Sequence, residues 1–253
     1  MTTSRPAPGG TELTLRADWP SYPHEVLAVV LSVRDGALRV LLWQRERPPF
    51  ARRWALPGGS VNADERLRAA ITRQLAAKVD VRELAHLEQL ATHSAIDRDP
   101  RGRVLATAYL GIVPADVSPA LPPDTAWQPV DHLPGTAFDH HYFVEAGVER
   151  LRAKLSYTNI GFALAPAEFT LSALRDTVST ALGYRVTPTN LARVMRRRDL
   201  IAPTGATTQS GRAGGRPAAV FRFRSRQLEV TDPFAVLKPP TACAPRATGT
   251  SVG

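Results

Sequence analysis

The sequence predicts an α/β (α+β) chain of two domains, the first built on a mixed sheet and the second a smaller, basic domain in which helices precede a hairpin. Three observations lead there. Short β-branched runs alternate with helical segments over residues 23–155, whereas after Pro166 the pattern changes to two capped helices and a hairpin. The net charge of +9 is also unevenly spread: residues 1–150 carry 17 Arg and Lys against 18 Asp and Glu, and residues 151–238 carry 14 against 5. Such asymmetry marks a footprint for nucleic acid or, less readily, for an anionic membrane surface, the plain alternative being a solvated basic face.

The elements follow in chain order. Residues 1–22, rich in Pro, Gly, Thr and Ser, read as a disordered arm. Glu25–Val33 and Leu38–Gln44 are strand-like runs around Arg34-Asp35-Gly36, and Asp-Gly between two such runs signals a hairpin. After a loop with Pro48-Pro49 comes Trp54-Ala55-Leu56-Pro57-Gly58-Gly59. A helix is then expected from Asp64 to about Val79, because Leu67, Ala70, Ile71 and Leu75 recur at helical spacing. Strands are expected at Leu87–His93 and Val104–Val113, around the polar turn Asp97–Gly102, and a helix at Phe143–Leu155. Residues 156–168 read as a linker.

In the second domain, residues 169–226, Thr170 is placed to N-cap a helix Leu171–Leu182 that Gly183 stops. Thr187-Pro188 opens another helix, running to about Arg198. Leu200–Pro203 and Ala218–Phe223 are expected strands joined by a Gly-rich loop, residues 204–217. Helix, turn, helix, hairpin is the order of a winged helix-turn-helix. Residues 227–253 read as a mostly disordered tail.

Composition narrows the function classes. No apolar stretch is long enough to span a membrane, and Met1–Gly10 lacks the apolar run of a signal peptide. The single cysteine, Cys243, can form neither an internal disulfide nor a metal cluster. A cytoplasmic protein without a metal or other cofactor is expected.

From Gly59 the chain resembles the Nudix box: Gly, five residues, Glu, seven residues, Arg-Glu, apolar, any, Glu-Glu, any, Gly, apolar. Gly59, Glu65, Arg73, Leu75 and Val81 match; Gln74, Ala77 and Lys78 stand at the remaining acidic positions and Asp80 at the late glycine. The family's glutamates bind the divalent metals of diphosphate hydrolysis. Positions 74, 77 and 78 are spaced to share one helix face, where a hard cation needs carboxylates. An amide, a methyl and an ammonium stand there instead, so no catalytic and no metal-ligating residue is assigned. Glu65 and Arg73 are expected to pair as a buried or half-buried ion pair, two turns apart on one helix face. Lys78 is expected to bind phosphate in place of a metal, with Arg45, Arg47, Arg52, Arg53 and Trp54 offering cations and a ring. His140-His141, being adjacent, diverge and do not share a metal.

His86–Leu90, Asp97–Val104 and Ala137-Phe138-Asp139-His140 resemble the ADP-ribose-recognising branch of Nudix proteins. Tyr157-Thr158-Asn159-Ile160, Phe169-Thr170-Leu171 and Gly215-Arg216-Pro217 are similar to the Nudix-related regulators of NAD metabolism, the NrtR family. The resemblance covers roughly residues 24–226. It implies a Nudix-like α/β/α sandwich followed by a winged helix, and a dimeric regulator, expected to be a repressor, that senses ADP-ribose or a related nucleotide. The ligand set expected from box, loop and resemblance together is Arg45, Arg47, Trp54, Gly58, Gly59, Glu65, Arg73, Lys78, Arg103 and His140.

On the helix from Pro188, Leu191, Val194 and Met195 form an apolar stripe, leaving Thr189, Asn190, Arg193, Arg196 and Arg197 on other faces. Asn and Arg read adenine and guanine through paired hydrogen bonds, so Asn190, Arg193 and Arg197 are the first candidates for base reading. Arg212 and Arg216 in the Gly-rich loop are candidates for minor-groove or backbone contact. A dimer would present two such helices to an inverted-repeat operator in double-stranded DNA. Two other readings stay open at this level: an active hydrolase whose metal is held by Glu65, Glu83 or Glu88, and an RNA-binding adaptor.

Overall fold

The computed structural model describes residues 20–208 and 217–232. The first domain is a seven-stranded mixed sheet. β1 (His24–Arg34) and β2 (Ala37–Gln44) form the expected hairpin, and Asp35 and Gly36 both take positive φ (49° and 70°), as a two-residue turn that follows strand twist requires. Two short strands follow, β3 (Trp54–Ala55) against β2 and β4 (Gly58–Ser60) against β1. β5 (His86–His93) pairs with β6 (Leu105–Ile112), β6 runs parallel to β1, and β7 (Thr125–Pro129) closes on β2.

β1 lies inside this sheet, and its side chains alternate between two apolar layers. Leu27, Val29, Leu31 and Val33 join one; Val26, Ala28 and Val30 join the other. The second layer is covered by α1 (Leu67–Val79) through Ala70, Ile71, Leu75 and Val79. The first is covered by α2 (His140–Tyr157) through Phe143, Val144, Val148 and Leu151. This is the α/β/α sandwich that the resemblance implied.

Helix α1 starts three residues later than its spacing suggested. The Glu65 carboxylate accepts from Asn62 N–H at 3.3 Å and from Arg73, which folds residues 62–65 into a turn instead of a first helical turn. At the other end Asp80 takes the left-handed conformation (φ 51°), doing the job of the glycine that the box has there. Helix α2 is longer than expected at both ends.

A short helix, α3 (Gly161–Leu164), lies in the linker, and the second domain then has the predicted order. Thr170 Oγ1 accepts from Ala173 N–H to cap α4 (Leu171–Leu182), which Gly183 ends at φ 79°. Thr187 caps α5 (Pro188–Arg197) in the same way. A three-stranded sheet joins β8 (Phe169–Thr170), β10 (Ala219–Phe223) and β9 (Ile201–Thr207), β8 being a strand that its two residues gave no pattern to find. Arg212 and Arg216 lie outside the described residues.

The linker is not a loose tether. Ile160, Phe162, Ala163, Leu164 and Ala165 are at most 1% exposed, and α4 packs against α2 and against β1 and β2. One continuous apolar layer therefore holds Val29 and Leu31 of the sheet together with Leu174, Leu191 and Phe223 of the winged helix.

At the edge of the sheet Glu88 is held by His86 at 3.1 Å, Arg150 at 3.3 Å and Lys154 at 3.0 Å, which ties β5 to α2. Burial alone would raise its pKa, but the bonds from His86 and Lys154 outweigh burial and bring the carboxyl down to about 2. A depressed carboxylate stabilises the fold fully above its ordinary pKa and loses that contribution as pH falls toward the folded value. For Glu88 the contribution is about 1–2 kcal/mol, because solvent screening of a half-buried group removes much of what the full shift would supply. Glu88→Gln is expected to lower stability at neutral pH and to narrow the gap to wild type between pH 4.5 and 2, as read by denaturant unfolding at several pH values.

Candidate functional site

The glycine turn lies against the start of β1. Gly58 faces Leu27 and Gly59 faces Val26, and a Cβ on Gly58 would sit 2.1 Å from the Val26 carbonyl oxygen. At Gly59 a Cβ would strike the Gln74 amide, whose Nε2 donates to Ser60 O at 3.2 Å. The backbone can approach the helix this closely only without side chains. Lys78 projects from the same helix face, donates to the Gly58 carbonyl and lies 4.8 Å above the Trp43 ring. Burial lowers its pKa, with Glu25 acting against that shift and Arg45 adding to it.

Beside this turn a cluster of ions gathers around Glu25. Arg98 is buried, its side chain 1% exposed, and grips Asp139 with Nε at 3.1 Å and Nη2 at 2.9 Å. Its Nη1 lies 3.8 Å from Glu25, and Arg101 lies 3.6 Å from Glu25 and 2.5 Å from Asp99. Arg45 donates to Pro49 O at 3.0 Å and stands 4.9 Å over the Phe138 ring, which Phe50 meets edge-on at 4.8 Å. Burial lowers the Arg45 pKa, and Arg101 lowers it further. His93 bonds Asp139 at 3.0 Å and stacks on the exposed Tyr142 at 4.6 Å. Four cations, Arg45, Lys78, Arg98 and Arg101, thus surround three carboxylates, with aromatic rings alongside. A cluster of this kind suits a ligand that carries both phosphate and a flat ring.

A divalent metal does not fit the box helix. Gln74 is committed to Ser60, Ala77 has no ligating atom, and the Lys78 ammonium already occupies the place beside the Gly58 carbonyl. Among the described residues no group of three or more His, Cys, Asp or Glu side chains is arranged to hold a metal ion.

The second site is the exposed face of α5. Thr189, Asn190, Arg193, Arg196 and Arg197 lie on its outer faces, while Leu191 and Met195 are buried. Arg193 Nη2 donates to Asn190 Oδ1 at 2.8 Å, so two of the three first candidates for base reading hold each other in place. Ser172 and Arg175 of α4 line a groove together with Thr189, Arg193 and Arg196.

The sequence matches the NUDIX domain over residues 23–146 and the NrtR DNA-binding winged helix domain over residues 161–223. It is 31% identical, over 86% of its length and 88% of the relative's, to the ADPR responsive transcriptional repressor NtrR of Acinetobacter baylyi. The chain belongs to the NrtR family. Its fold is that of NrtR from Shewanella oneidensis, solved in complex with a 27mer DNA: the TM-score is 0.67 at 33% identity, over 79% of this chain and 93% of that one. An ADP-ribose pyrophosphatase of Methanocaldococcus jannaschii is 29% identical over 49% of this chain and 73% of that enzyme.

Within this NrtR-type frame the expected ligand residues divide. Gly58, Gly59, Lys78 and Arg45 gather at the turn. Arg47 is exposed on the neighbouring loop, and Trp54 is half-buried against the apolar layer under α2. Glu65 and Arg73 do pair, at 2.6 Å, but Arg73 is 40% exposed and Glu65 precedes the helix, so the expectation of two turns on one face is corrected. The pair fastens the loop through Arg73 to Ser60 O. Arg103 lies 5.0 Å over the Tyr22 ring. His140 is corrected as a ligand residue: it is buried, its Nδ1 accepts from Leu56 N–H at 2.9 Å, and burial holds its pKa down to about 3. It braces the glycine turn from beneath. Sequence reasoning misses Glu25, Arg98, Arg101, Phe138 and Asp139 as members of the cluster. For Arg98 and Arg101 the signal is the polar turn Asp97–Gly102, and for Phe138 and Asp139 the segment Ala137–His140; both carry the resemblance without marking single residues, and Glu25 reads only as the start of a strand.

Proposed function

We propose that the protein is a transcriptional repressor of NAD-metabolism genes whose Nudix domain senses ADP-ribose, or a related nucleotide, without hydrolysing it. It acts in the cytoplasm as a homodimer on an inverted-repeat operator. Lys78 carries the reading: a cation beside the glycine turn supplies charge to a diphosphate while opposing the metal that hydrolysis needs. Two relatives named for the same small molecule, a repressor and a pyrophosphatase, support ADP-ribose as the effector, and the basic face of α5 supports operator binding.

The test combines two assays on one preparation. Calorimetry is expected to detect ADP-ribose binding that persists in EDTA, and Lys78→Ala to weaken it by about 1.5–3 kcal/mol, the range of a charge-assisted contact. With Mg²⁺ or Mn²⁺ the protein is expected to leave ADP-ribose intact. Turnover at about 1 per second, ordinary for an enzyme, would remove the sensor reading in favour of a hydrolase with unusual ligands.

A further inference from the structure

After β10 the chain returns across the junction of the two domains, and residues 227–232 are fixed there by their backbone. Asn159, buried, donates from Nδ2 to Gln227 O at 2.8 Å and accepts at Oδ1 from Glu229 N–H at 2.8 Å. Tyr157 O, at the end of α2, accepts from Thr231 N–H at 2.8 Å and Asp232 N–H at 3.1 Å. Asp232 is therefore set by the fold. Its Oδ2 accepts from Arg198 Nη2 at 2.8 Å, and Arg198, whose side chain is only 9% exposed, also donates to Ser156 O at 2.7 Å. The same oxygen accepts from Arg197 Nη2 at 3.4 Å. Arg197, 57% exposed, belongs to the basic face of α5.

We propose that Asp232 makes an autoinhibitory contact on the DNA-reading face: its carboxylate, anchored by Arg198, competes with DNA for Arg197. Against random sequence Arg197 gains a single hydrated phosphate and gives up an ion pair, an exchange that is nearly neutral. Against a guanine the guanidinium gains two aligned acceptors in a groove, and the exchange favours binding. The ion pair given up is the same in both cases, so the carboxylate lowers affinity for every sequence and leaves the preference between them unchanged. The inference rests on the DNA-binding reading of α5.

The experiment measures affinity of the full chain for a mixed-sequence duplex and for a duplex that the wild-type protein selects from a random pool, at several salt concentrations. Asp232→Asn keeps the backbone bonds to Tyr157. It is expected to tighten the mixed and the selected duplex alike by about 3–10-fold and to steepen the salt dependence by roughly 1. In an Arg197→Ala background the gain is expected to vanish, and Asp232→Glu, which keeps the charge, is expected to keep the wild-type affinities. Unchanged or weaker binding by Asp232→Asn, or a gain undiminished without Arg197, overturns the inference. If Arg197→Ala alone leaves both affinities unchanged, the DNA-reading role of this face fails with it; if that variant weakens binding while Asp232→Asn has no effect, only the inference fails.

Discussion

Arg98→Ala is expected to cost about 3–5 kcal/mol of stability, the range for removing one partner of a buried ion pair. Two hydrogen bonds to Asp139 disappear, and Asp139 and Glu25 then confront each other without the guanidinium between them. In the wild type burial pushes the Asp139 pKa up, yet bonds from Arg98 and His93 leave it below the ordinary carboxylate value. That contribution is present above the unfolded pKa and is lost as pH falls through the folded one. The deficit of Arg98→Ala should thus be largest near neutrality and shrink under acid conditions, where the stranded carboxyl protonates. Denaturant unfolding at pH 7 and in acid reads both quantities. A deficit under about 1 kcal/mol, the scale of an exposed pair, would mean that the cluster contributes little to the fold.

Replacing Arg193 and Arg196 together by Ala is expected to weaken DNA binding by about 100-fold or more, since one base-reading arginine is worth roughly 1–3 kcal/mol and a phosphate contact adds to it. Both side chains lie on the outer face of α5 and neither belongs to the apolar stripe, so the unfolding midpoint should stay near that of the wild type. The single variants separate the roles. Loss of a base reader relaxes preference at one position per half-site, whereas loss of a phosphate contact weakens all sequences alike and lowers the salt slope by about 1. A loss below about threefold for the double variant, far under the scale of one base contact, would assign the basic face to another partner.

The winged helix was the most legible part because local chemistry decides it. Thr170, Gly183, Thr187 and Pro188 are cap and stop residues acting over three or four positions, and their helices begin and end where those residues stand. The central hairpin was legible for the same reason, through Asp35-Gly36. The ligand cluster was legible only in part. Lys78 and the glycine turn fall within one continuous motif, but Glu25, Arg98 and Asp139 lie on separate elements, brought together by the parallel pairing of β1 with β6 and the docking of α2. His140 misled because its neighbours in sequence face the cluster while its own ring turns under Leu56 N–H. No spacing rule distinguishes those two directions at a helix start.

The burial of residues 160–165 bears on how such a protein can be taken apart or recombined. A chain cut at this point would leave Phe162 and Leu164 without cover, and the detached reader would show water the side of α4 that packs against α2, β1 and β2. An apolar surface of that kind favours aggregation over independent folding. Grafting this reader onto a foreign sensor would therefore require carrying α2 and the adjoining sheet face with it. The unit of exchange is the interface, and the natural cut points lie elsewhere in the chain.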